Sequence, residues 1–537
     1  MATQMYTRTQ NHLPESPNRP DRLGFWDRLQ AIPTDRSAWL WLLLGFLLMP
    51  FTFFQTVIPL AAWLTPLFLL RFERTSRRAW LALPLIFLTY AAGVDLASRG
   101  MPFNLLGFLG NIVFKGLVWT LPYAIDRLLS HRLQGLSRTL VFPLAFTTFD
   151  WLLALLRVSS TGSPAYSQYT NPALMQILSI TGMWGITFMI MAFASIVNAL
   201  WEYHFDLQKM RLQISLYAGA LLAVLLYGIL RLNFAVPSSQ TVQVATITID
   251  QALTQAATSN IDWLTFNRST DEQRAAIRPK FEATVNQLLA RTETAMQAGA
   301  KIVSWQESSA WVLAEDKPAL LERAAALAKQ YGAYLQISTE VATRTTNLPY
   351  LLNQSVLFDP SGQVLWTYEK THPVPYDEAF ATVAGPGILP IIDTPYGRLS
   401  TAICYDTYFP TLIRQAGQNN TDIFLAPTND ARPYASSAAV MAISRAIENG
   451  FSLVRPTGNG TTLVTDYQGR ILASQDYMTN TSGILLTSVP MHGFTTIYSH
   501  IGDLLAYLCG IGLVLLTILA FLRQAQPLQV THPQAFL

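Results

Sequence analysis

Long apolar runs separated by short polar loops fill residues 38–232, and one further apolar run lies at 501–522. A helix that crosses the hydrocarbon core of a membrane needs about 20 mainly apolar residues. The pattern therefore predicts seven membrane-spanning helices in the first region and an eighth in the second. The predicted spans cover residues 38–54, 55–71, 79–97, 103–124, 139–156, 175–200, 214–232 and 501–522. The first two are the least distinct, because Pro50, Gln55 and Pro59 interrupt one long run.

The segment between these regions, residues 233–497, alternates β-rich apolar runs with amphipathic helical stretches. Strands are predicted at 243–249, 301–305, 334–338, 351–358, 364–368, 398–404, 422–426, 453–457, 461–465, 470–474 and 483–489. Helices are predicted at 270–298, 317–331 and 438–449, the last one closed by Gly450, and a short helix is predicted between the strands 398–404 and 422–426. Strands and helices mixed at this density predict an α/β domain whose helices cover the faces of its sheets.

The composition excludes an ordinary soluble protein, since 51% of the residues are hydrophobic and 13% are charged, against about 25% charged in typical domains. Seven or eight apolar runs also exceed what one soluble core could bury. The spans carry few of the internal charges that mark the ion or substrate path of a transporter. The net charge of +3 gives no reason to expect a nucleic-acid partner. Two cysteines cannot form a disulfide framework, so we expect Cys404 to be a free thiol.

The basic residues predict how the chain is oriented in the membrane, because Lys and Arg in short loops stay on the cytoplasmic side. With eight spans, fifteen basic residues fall on the side of both termini and three on the other side. Residues 1–37 and 523–537 are therefore expected to be cytoplasmic tails, with no removable signal peptide at the start. Residues 233–497 are then expected outside, which in a bacterium means the outer face of the inner membrane.

Three candidate reactive residues follow β-rich runs in this external segment. Cys404 could attack a carbonyl as the thiolate, and we expect it at a sharp turn near a helix N-terminus, whose dipole would favour that thiolate. Glu307 could take the thiol proton as a general base. Lys370 could stabilise an oxyanion together with a backbone N–H after the cysteine. Taken one at a time, each residue also has an ordinary interpretation: a buried structural cysteine, an exposed loop glutamate or a surface lysine.

Two further residues lie close to Lys370 in the sequence. Glu378 comes eight residues later and could orient the lysine or act as a second acid. His372 is interpreted as a loop histidine, because the sequence pairs it with no obvious metal or acid.

The order Glu307, Lys370, Cys404 resembles the carbon–nitrogen hydrolase (nitrilase) superfamily. Other motifs resemble more closely its membrane-embedded apolipoprotein N-acyltransferase family, and they cover most of the chain. These motifs lie at residues 150–151, 161–164, 177–185, 370–378, 426–430, 445–448 and 453–460. The seven spans, external domain and closing span also match that family.

This resemblance implies a multi-pass α-helical membrane domain joined to an αββα sandwich. It implies Glu307 as the base, Lys370 as the oxyanion group and Cys404 as the nucleophile. Glu378 would assist, and Tyr405 and Asp406 would support the cysteine.

The implied reaction takes a fatty acyl chain from a membrane phospholipid as a Cys404 thioester. The fatty acyl chain is then transferred to the N-terminal amine of a diacylglyceryl-cysteine in an apolipoprotein. No cofactor or metal is implied, and we expect a monomer.

Four departures from the family pattern concern lipid and acceptor recognition. Asp406 stands where the family usually has glutamate, and Arg432 follows a position where it has tryptophan. A Gln-His pair is absent after residue 434, and the stretch after Glu378 is short where the family has a longer arm. A membrane-tethered amidase, or an acyltransferase with another amine acceptor, therefore stays open as an alternative. A non-catalytic scaffold is disfavoured, because a decayed site would have lost one of the three residues.

Overall fold

The computed structural model describes residues 37–522, apart from 54, 77, 99–104, 157–158, 236, 238–239, 346, 376–377 and 480–482. The tails expected at 1–37 and 523–537 therefore lie outside the described residues, except for Ser37. Within the described residues, eight helices correspond in sequence to the predicted spans. In chain order these are α1 (Ala38–Leu48), α2 (Pro59–Thr75), α3 (Ala79–Ser98), α4 (Leu105–Leu129), α5 (Gly135–Leu155), α8 (Trp184–Glu202), α9 (Arg211–Phe234) and α16 (Leu504–Leu522).

Four of these helices are long and apolar enough to cross a membrane by length and composition. They are α5, α8, α9 and α16, and α9 and α16 expose most of their apolar surface. Shorter apolar helices accompany them at Ala38–Phe51 and Trp80–Leu96. Helices α1 to α5 and α8 share one buried cluster of aromatic and aliphatic side chains, as expected for a helical bundle.

The predicted span over 175–200 differs from the structure at its start. The chain first forms two short helices, α6 (Pro172–Met175) and α7 (Leu178–Thr181), and the long helix begins at Trp184. Gly182, with φ +61°, separates α7 from the long helix α8, and a side chain at this position would collide with the ring of Tyr498. This close approach requires glycine and breaks the helix, so the apolar residues before it pack under the external domain.

The segment after α9 contains two main sheets. Its strands are β1 (Thr241–Ile247), β2 (Ile302–Trp305), β3 (Ala310–Leu313), β4 (Tyr334–Ala342), β5 (Leu351–Phe358), β6 (Val364–Glu369), β7 (Ile391–Thr394), β8 (Gly397–Thr401), β9 (Ile423–Leu425), β10 (Thr428–Asn429), β11 (Ser452–Arg455), β12 (Thr457–Gly458), β13 (Thr461–Thr465), β14 (Ile471–Asp476) and β15 (Ile484–Pro490). One sheet has the order β15-β1-β2-β4-β5-β6, with β3 beside β4. The other has the order β14-β13-β11-β9-β8-β7.

Helices cover the outer faces of both sheets. The helices of this domain are α10 (Gln251–Thr258), α11 (Asp271–Gln297), α12 (Lys317–Tyr331), α13 (Pro410–Gln418), α14 (Ala435–Asn449) and α15 (Ile497–Ile501). Alternate residues of the first sheet face opposite ways, as period-two strands require. Ile302 packs toward the second sheet, and its neighbour Val303 packs under α11 and α12. The result is the αββα sandwich that the resemblance implied.

Most predicted elements are found within a few residues of their predicted bounds. The structure reproduces 317–331, 351–358 and 461–465 without change, and Gly450 closes α14 with φ +77°. A side chain at Gly450 would meet the Phe494 carbonyl oxygen at 1.6 Å, so only glycine fits there. The prediction missed β3, β7, β10, β12, α10 and α15, which are short. It also extended β8 to residue 404, whereas the strand ends at Thr401.

The sandwich is hydrogen-bonded to the helical domain through the loop after α5 and through α6 and α7. The Ser160 N–H and hydroxyl both donate to the Tyr408 carbonyl, at 3.1 and 2.7 Å. The Met183 N–H donates to Glu448 at 3.0 Å. The Gln176 side chain donates to the Gln468 carbonyl at 3.1 Å. One face of the sandwich is thereby held against the helices.

Candidate active site

Glu307 lies just beyond the end of β2, and its buried carboxylate accepts three hydrogen bonds. Lys370 Nζ donates to Oε1 at 2.7 Å, and Asn353 Nδ2 donates to the same oxygen at 2.9 Å. The backbone N–H of Asn429 donates to Oε2 at 2.8 Å. These donors come from β5 and the end of β6 in the first sheet and from β10, which pairs only with β12.

Lys370 directly follows β6 and is 1% exposed. Besides Glu307, its ammonium group contacts Glu378 Oε1. Glu378 also accepts the Val374 N–H at 2.8 Å, and its side chain is 24% exposed. The structure thus brings Glu307, Lys370 and Glu378 into direct contact, although 71 residues separate the first from the last.

Cys404 is the first residue of a 3-10 turn, Cys404–Tyr408, and is the third residue after the end of β8. Its backbone has φ +47°, a strained conformation for a residue with a side chain. Its N–H donates to the Pro427 carbonyl at 2.9 Å. Its Sγ–H donates to the Asn429 carbonyl at 3.8 Å. Asn429 therefore contacts the thiol through its carbonyl and Glu307 through its N–H.

The Cys404 thiol keeps its proton in this resting arrangement. Burial raises the pKa of the thiol well above its ordinary value, and the Glu307 carboxylate adds to the rise. The ammonium group of Lys370 acts in the opposite direction but does not offset it. The expectation that a helix dipole would favour the thiolate was wrong, because α13 begins only at Pro410 and burial dominates.

Lys370 stays a cation. Burial lowers the pKa of Lys370, but the carboxylates of Glu307 and Glu378 outweigh that effect and hold it well above its ordinary value. Burial raises the pKa of Glu378, and the Lys370 ammonium limits this rise. The cluster can therefore offer one fixed positive charge and carboxylates for proton transfer.

Asp406 is fully buried within the turn that begins at Cys404. It accepts hydrogen bonds from the Tyr368 hydroxyl at 2.7 Å, from the His372 N–H at 2.8 Å and from the Ile403 N–H at 3.2 Å. His372 Nδ1 also lies 3.1 Å from Asp406 Oδ1. The interpretation that His372 has no acid partner was therefore wrong. Its ring stacks on Phe409, the residue after the turn Cys404–Tyr408, with centroids 3.7 Å apart.

Tyr405 packs edge-on against Tyr408 and Phe409, with ring centroids 5.0 and 5.2 Å away. Its backbone N–H follows the cysteine and donates to no acceptor among the described residues. A free N–H and the Lys370 ammonium are the kind of donors that stabilise a developing oxyanion.

The sequence did not reveal Asn353 or the role of Asn429. Asn353 is an inward-facing residue within β5, and no motif sets it apart from structural asparagines. Asn429 lies in the 426–430 motif, but its role depends on backbone atoms, which side-chain patterns do not report. Arg432 pairs with Asp476 at the surface, 3.2 Å away.

Two family models match the chain. Residues 272–496 match the carbon-nitrogen hydrolase model, and residues 44–196 match the apolipoprotein N-acyltransferase N-terminal domain. The chain belongs to the apolipoprotein N-acyltransferase family. Membership in this family, together with the apolar helices, makes it a membrane protein.

Known proteins of the family show similarity along most of the chain. Apolipoprotein N-acyltransferase of Geobacter metallireducens is 28% identical over 424 residues, which is 73% of this chain and 76% of that protein. Apolipoprotein N-acyltransferase 2 of Treponema pallidum is 26% identical over 467 residues, or 76% and 81% of the two chains. Among solved structures, an amidase from Nesterenkonia sp. aligns with a TM-score of 0.37 and 20% identity, over 48% of this chain and 94% of the amidase.

Proposed function

We propose that this protein N-acylates lipoproteins, transferring a fatty acyl chain from a membrane phospholipid through a Cys404 thioester. The contact of Asn429 with both Glu307 and the thiol is the observation that carries the proposal. It puts a proton acceptor beside a buried nucleophile that holds its proton. The names of the relatives supply the substrate class.

In the first half-reaction, Glu307 takes the thiol proton as Cys404 Sγ attacks the ester carbonyl of the phospholipid. Lys370 and the Tyr405 N–H would hold the oxyanion that forms on the carbonyl oxygen. When the ester C–O bond breaks, Glu307 returns the proton to the leaving oxygen, which departs as the hydroxyl of a lysophospholipid. Cys404 is left as a thioester.

In the second half-reaction, the α-amino group of a diacylglyceryl-cysteine attacks the thioester carbonyl. Glu307 accepts a proton from the amine, and the new amide forms as the C–S bond breaks. The proton then returns to Cys404 Sγ. A thioester suits this step because it reacts with amines more readily than the starting ester does.

The loop after α5 supports delivery of both lipid substrates from the membrane. It connects a helix of the bundle to the turn of the nucleophile through the two Ser160 hydrogen bonds to Tyr408. The site therefore lies next to the helical domain, where a lipid can reach it without crossing water.

The proposal places the sandwich on the outer face of a bacterial inner membrane. At one end of the bundle, Arg74, Asp126, Arg138 and Glu202 form a chain of ion pairs between α2, α4, α5 and α8. The loops that contact the sandwich lie at the opposite ends of α5 and α8. Basic residues concentrate at the first end, which favours a cytoplasmic position for it.

Intact-mass measurement tests the function. Purified protein is incubated with a defined phospholipid and then with a diacylated lipopeptide. We expect a fatty-acyl adduct that is absent from Cys404→Ala and that moves to the lipopeptide amine. Cys509→Ala is the matched control and should form the adduct as the wild type does, because Cys509 is buried within α16. An adduct that is only hydrolysed would favour an amidase, and no adduct would refute phospholipid as donor.

A further inference from the structure

A second buried carboxylate, Glu340, lies beside the candidate site and has no part in the proposed chemistry. It belongs to β4 and is 3% exposed. Its Oε2 accepts a hydrogen bond from the Ser308 hydroxyl at 2.7 Å. Ser308 directly follows Glu307 and has φ +49°, so Glu340 anchors a strained residue next to the proposed base.

Glu340 also lies beside Asn353, which is hydrogen-bonded to Glu307. In the antiparallel pairing of β4 with β5, Glu340 lies directly opposite Asn353. Side chains of such cross-strand partners share a face of the sheet, with Cβ atoms about 4.5–5.5 Å apart. Asn353 Nδ2 donates to Glu307 at 2.9 Å. Glu340 therefore adjoins both Ser308, the residue that directly follows Glu307 in the chain, and Asn353, one of the three donors to the Glu307 carboxylate.

Two buried acceptors at this pair lack a donor among the described residues. They are Glu340 Oε1 and Asn353 Oδ1. An unsatisfied buried polar atom costs about 1–3 kcal/mol, and two acceptors on cross-strand partners cannot satisfy each other. One proton on Glu340 Oε1 would resolve both, because the acid would then donate to the Asn353 carbonyl oxygen.

We infer that Glu340 is a positioning residue for Glu307, held as a neutral carboxylic acid that accepts from Ser308 and donates to Asn353. The donated bond fixes the Asn353 oxygen toward Glu340, so that its NH₂ group points to Glu307. Glu340 touches no substrate atom and acts through its neighbours. The inference rests on the proposed role of Glu307 as the base.

The charges around Glu340 agree with a neutral acid. Burial raises the pKa of Glu340 to about 8. The Glu378 and Glu307 carboxylates add to the rise, while the Ser308 hydrogen bond and the Lys370 ammonium oppose it. The Tyr350 hydroxyl also lies close enough to Glu340 to interact with it electrostatically. Glu340 is thus protonated below about pH 8 and ionises above it. Ionisation would remove the donor to Asn353 and add a negative charge to the cluster of Glu307, Lys370 and Glu378.

The pH dependence of acyl-enzyme formation tests this in the full-length protein with phospholipid in micelles. We expect the wild-type rate to fall as pH rises through about 8. Glu340→Gln keeps one donor and one acceptor at every pH, so it should retain the neutral-pH rate within a few-fold and lose the alkaline fall. Glu340→Ala should form the acyl-enzyme about tenfold or more slowly than Glu340→Gln at all pH values. Glu322→Gln, which changes an exposed carboxylate of α12, should follow the wild-type profile.

A second readout needs no acyl donor. Iodoacetamide alkylation of Cys404 is followed by peptide mass in the same variants. The ratio of the Glu340→Gln rate to the wild-type rate should rise as pH passes through about 8. An unchanged ratio, an alkaline fall retained in Glu340→Gln, or a wild-type rate in Glu340→Ala would overturn the inference. If phospholipid gives no adduct at all, the proposed function fails, and alkylation still decides the role of Glu340.

Discussion

At the residue scale, the proposed chemistry needs Glu307 as well as Cys404, because the thiol is buried. A thiol with a raised pKa is a poor nucleophile until a base removes its proton. Three donors hold the Glu307 carboxylate. One of them, Asn429, also contacts the thiol and so keeps the carboxylate next to it. The strained backbone of Cys404 and the left-handed Ser308 after Glu307 both occur at this point. Strain of this kind persists where the surrounding hydrogen bonds over-determine the conformation.

Replacing Glu307 tests this division. Glu307→Gln keeps the size of the side chain and removes the proton acceptor. We expect acyl-enzyme formation to slow by about 10²–10⁴-fold, with alkylation of Cys404 slowed as well. Stopped-time intact-mass measurements give the first rate and peptide mass the second. Glu322→Gln on the exposed face of α12 is the control, and a Glu307→Gln rate near the wild type would contradict a base role.

At the scale of elements, the turn Cys404–Tyr408 is held between two structures. On one side, Asp406 gathers the Tyr368 hydroxyl and backbone N–H groups of residues 371, 372 and 403. On the other side, Ser160 binds the Tyr408 carbonyl. The Ser160 hydroxyl also lies 2.6 Å from the Tyr166 hydroxyl, to which Arg445 donates at 3.1 Å. The loop after α5 therefore connects the turn Cys404–Tyr408 to α14.

Removing the Ser160 hydroxyl should loosen this coupling. Ser160→Ala loses the hydrogen bonds to Tyr408 and Tyr166 while the backbone N–H bond remains. We expect a loss of about 1–3 kcal/mol in the free energy of unfolding, measured in detergent, and slower acylation by phospholipid. Ser137→Ala removes an exposed hydroxyl from the start of α5 and should change stability by about 0.5 kcal/mol or less. Equal behaviour of the two variants would show that the loop does not hold the turn.

At the scale of the whole molecule, buried ion pairs join helices at the end of the bundle away from the sandwich. Arg74 binds Asp126 through two hydrogen bonds of 2.8 and 2.9 Å, with side chains 4% and 0% exposed. Arg127 reaches the Glu73 carboxylate at 3.3 Å in the same region. Charges buried in this way are tolerated because each has a partner.

Breaking one pair should therefore be costly. Arg74→Ala leaves the buried Asp126 without this partner, and we expect it to cost about 3–5 kcal/mol of stability. Asp126→Ala should cost less, because Arg74 keeps Glu202 at 3.6 Å. The double variant Arg74→Met with Asp126→Leu should recover most of that loss. Lys209→Ala disrupts an exposed pair with Asp206 and should cost no more than about 1 kcal/mol. Thermal unfolding in detergent compares the four, and additive losses in the double variant would refute a direct pairing.

The sequence alone was enough to predict the two-part architecture and most elements, because those depend on local periodicity. Apolar runs of membrane length and the alternation in 351–358 or 461–465 are read directly from neighbouring residues. The break at Gly182 was not predicted, since it depends on Tyr498, more than 300 residues away. The short strands β3 and β7 form beside the longer β4 and β8, and the two-residue strands β10 and β12 pair only with each other. These pairings join separate segments of the chain, so local patterns do not predict them.

For the candidate site, too, the sequence predicted some properties and left others to the tertiary structure. The types and order of Glu307, Lys370 and Cys404 are written in the sequence, and so is their resemblance to a family. Only the tertiary structure decided that Glu378 contacts Lys370, that Asp406 partners His372, and that Asn353 and Asn429 hold Glu307. It also decided that Cys404 keeps its proton, contrary to the expectation from a helix dipole. These properties depend on burial and on charges brought together from distant strands, which no local pattern contains.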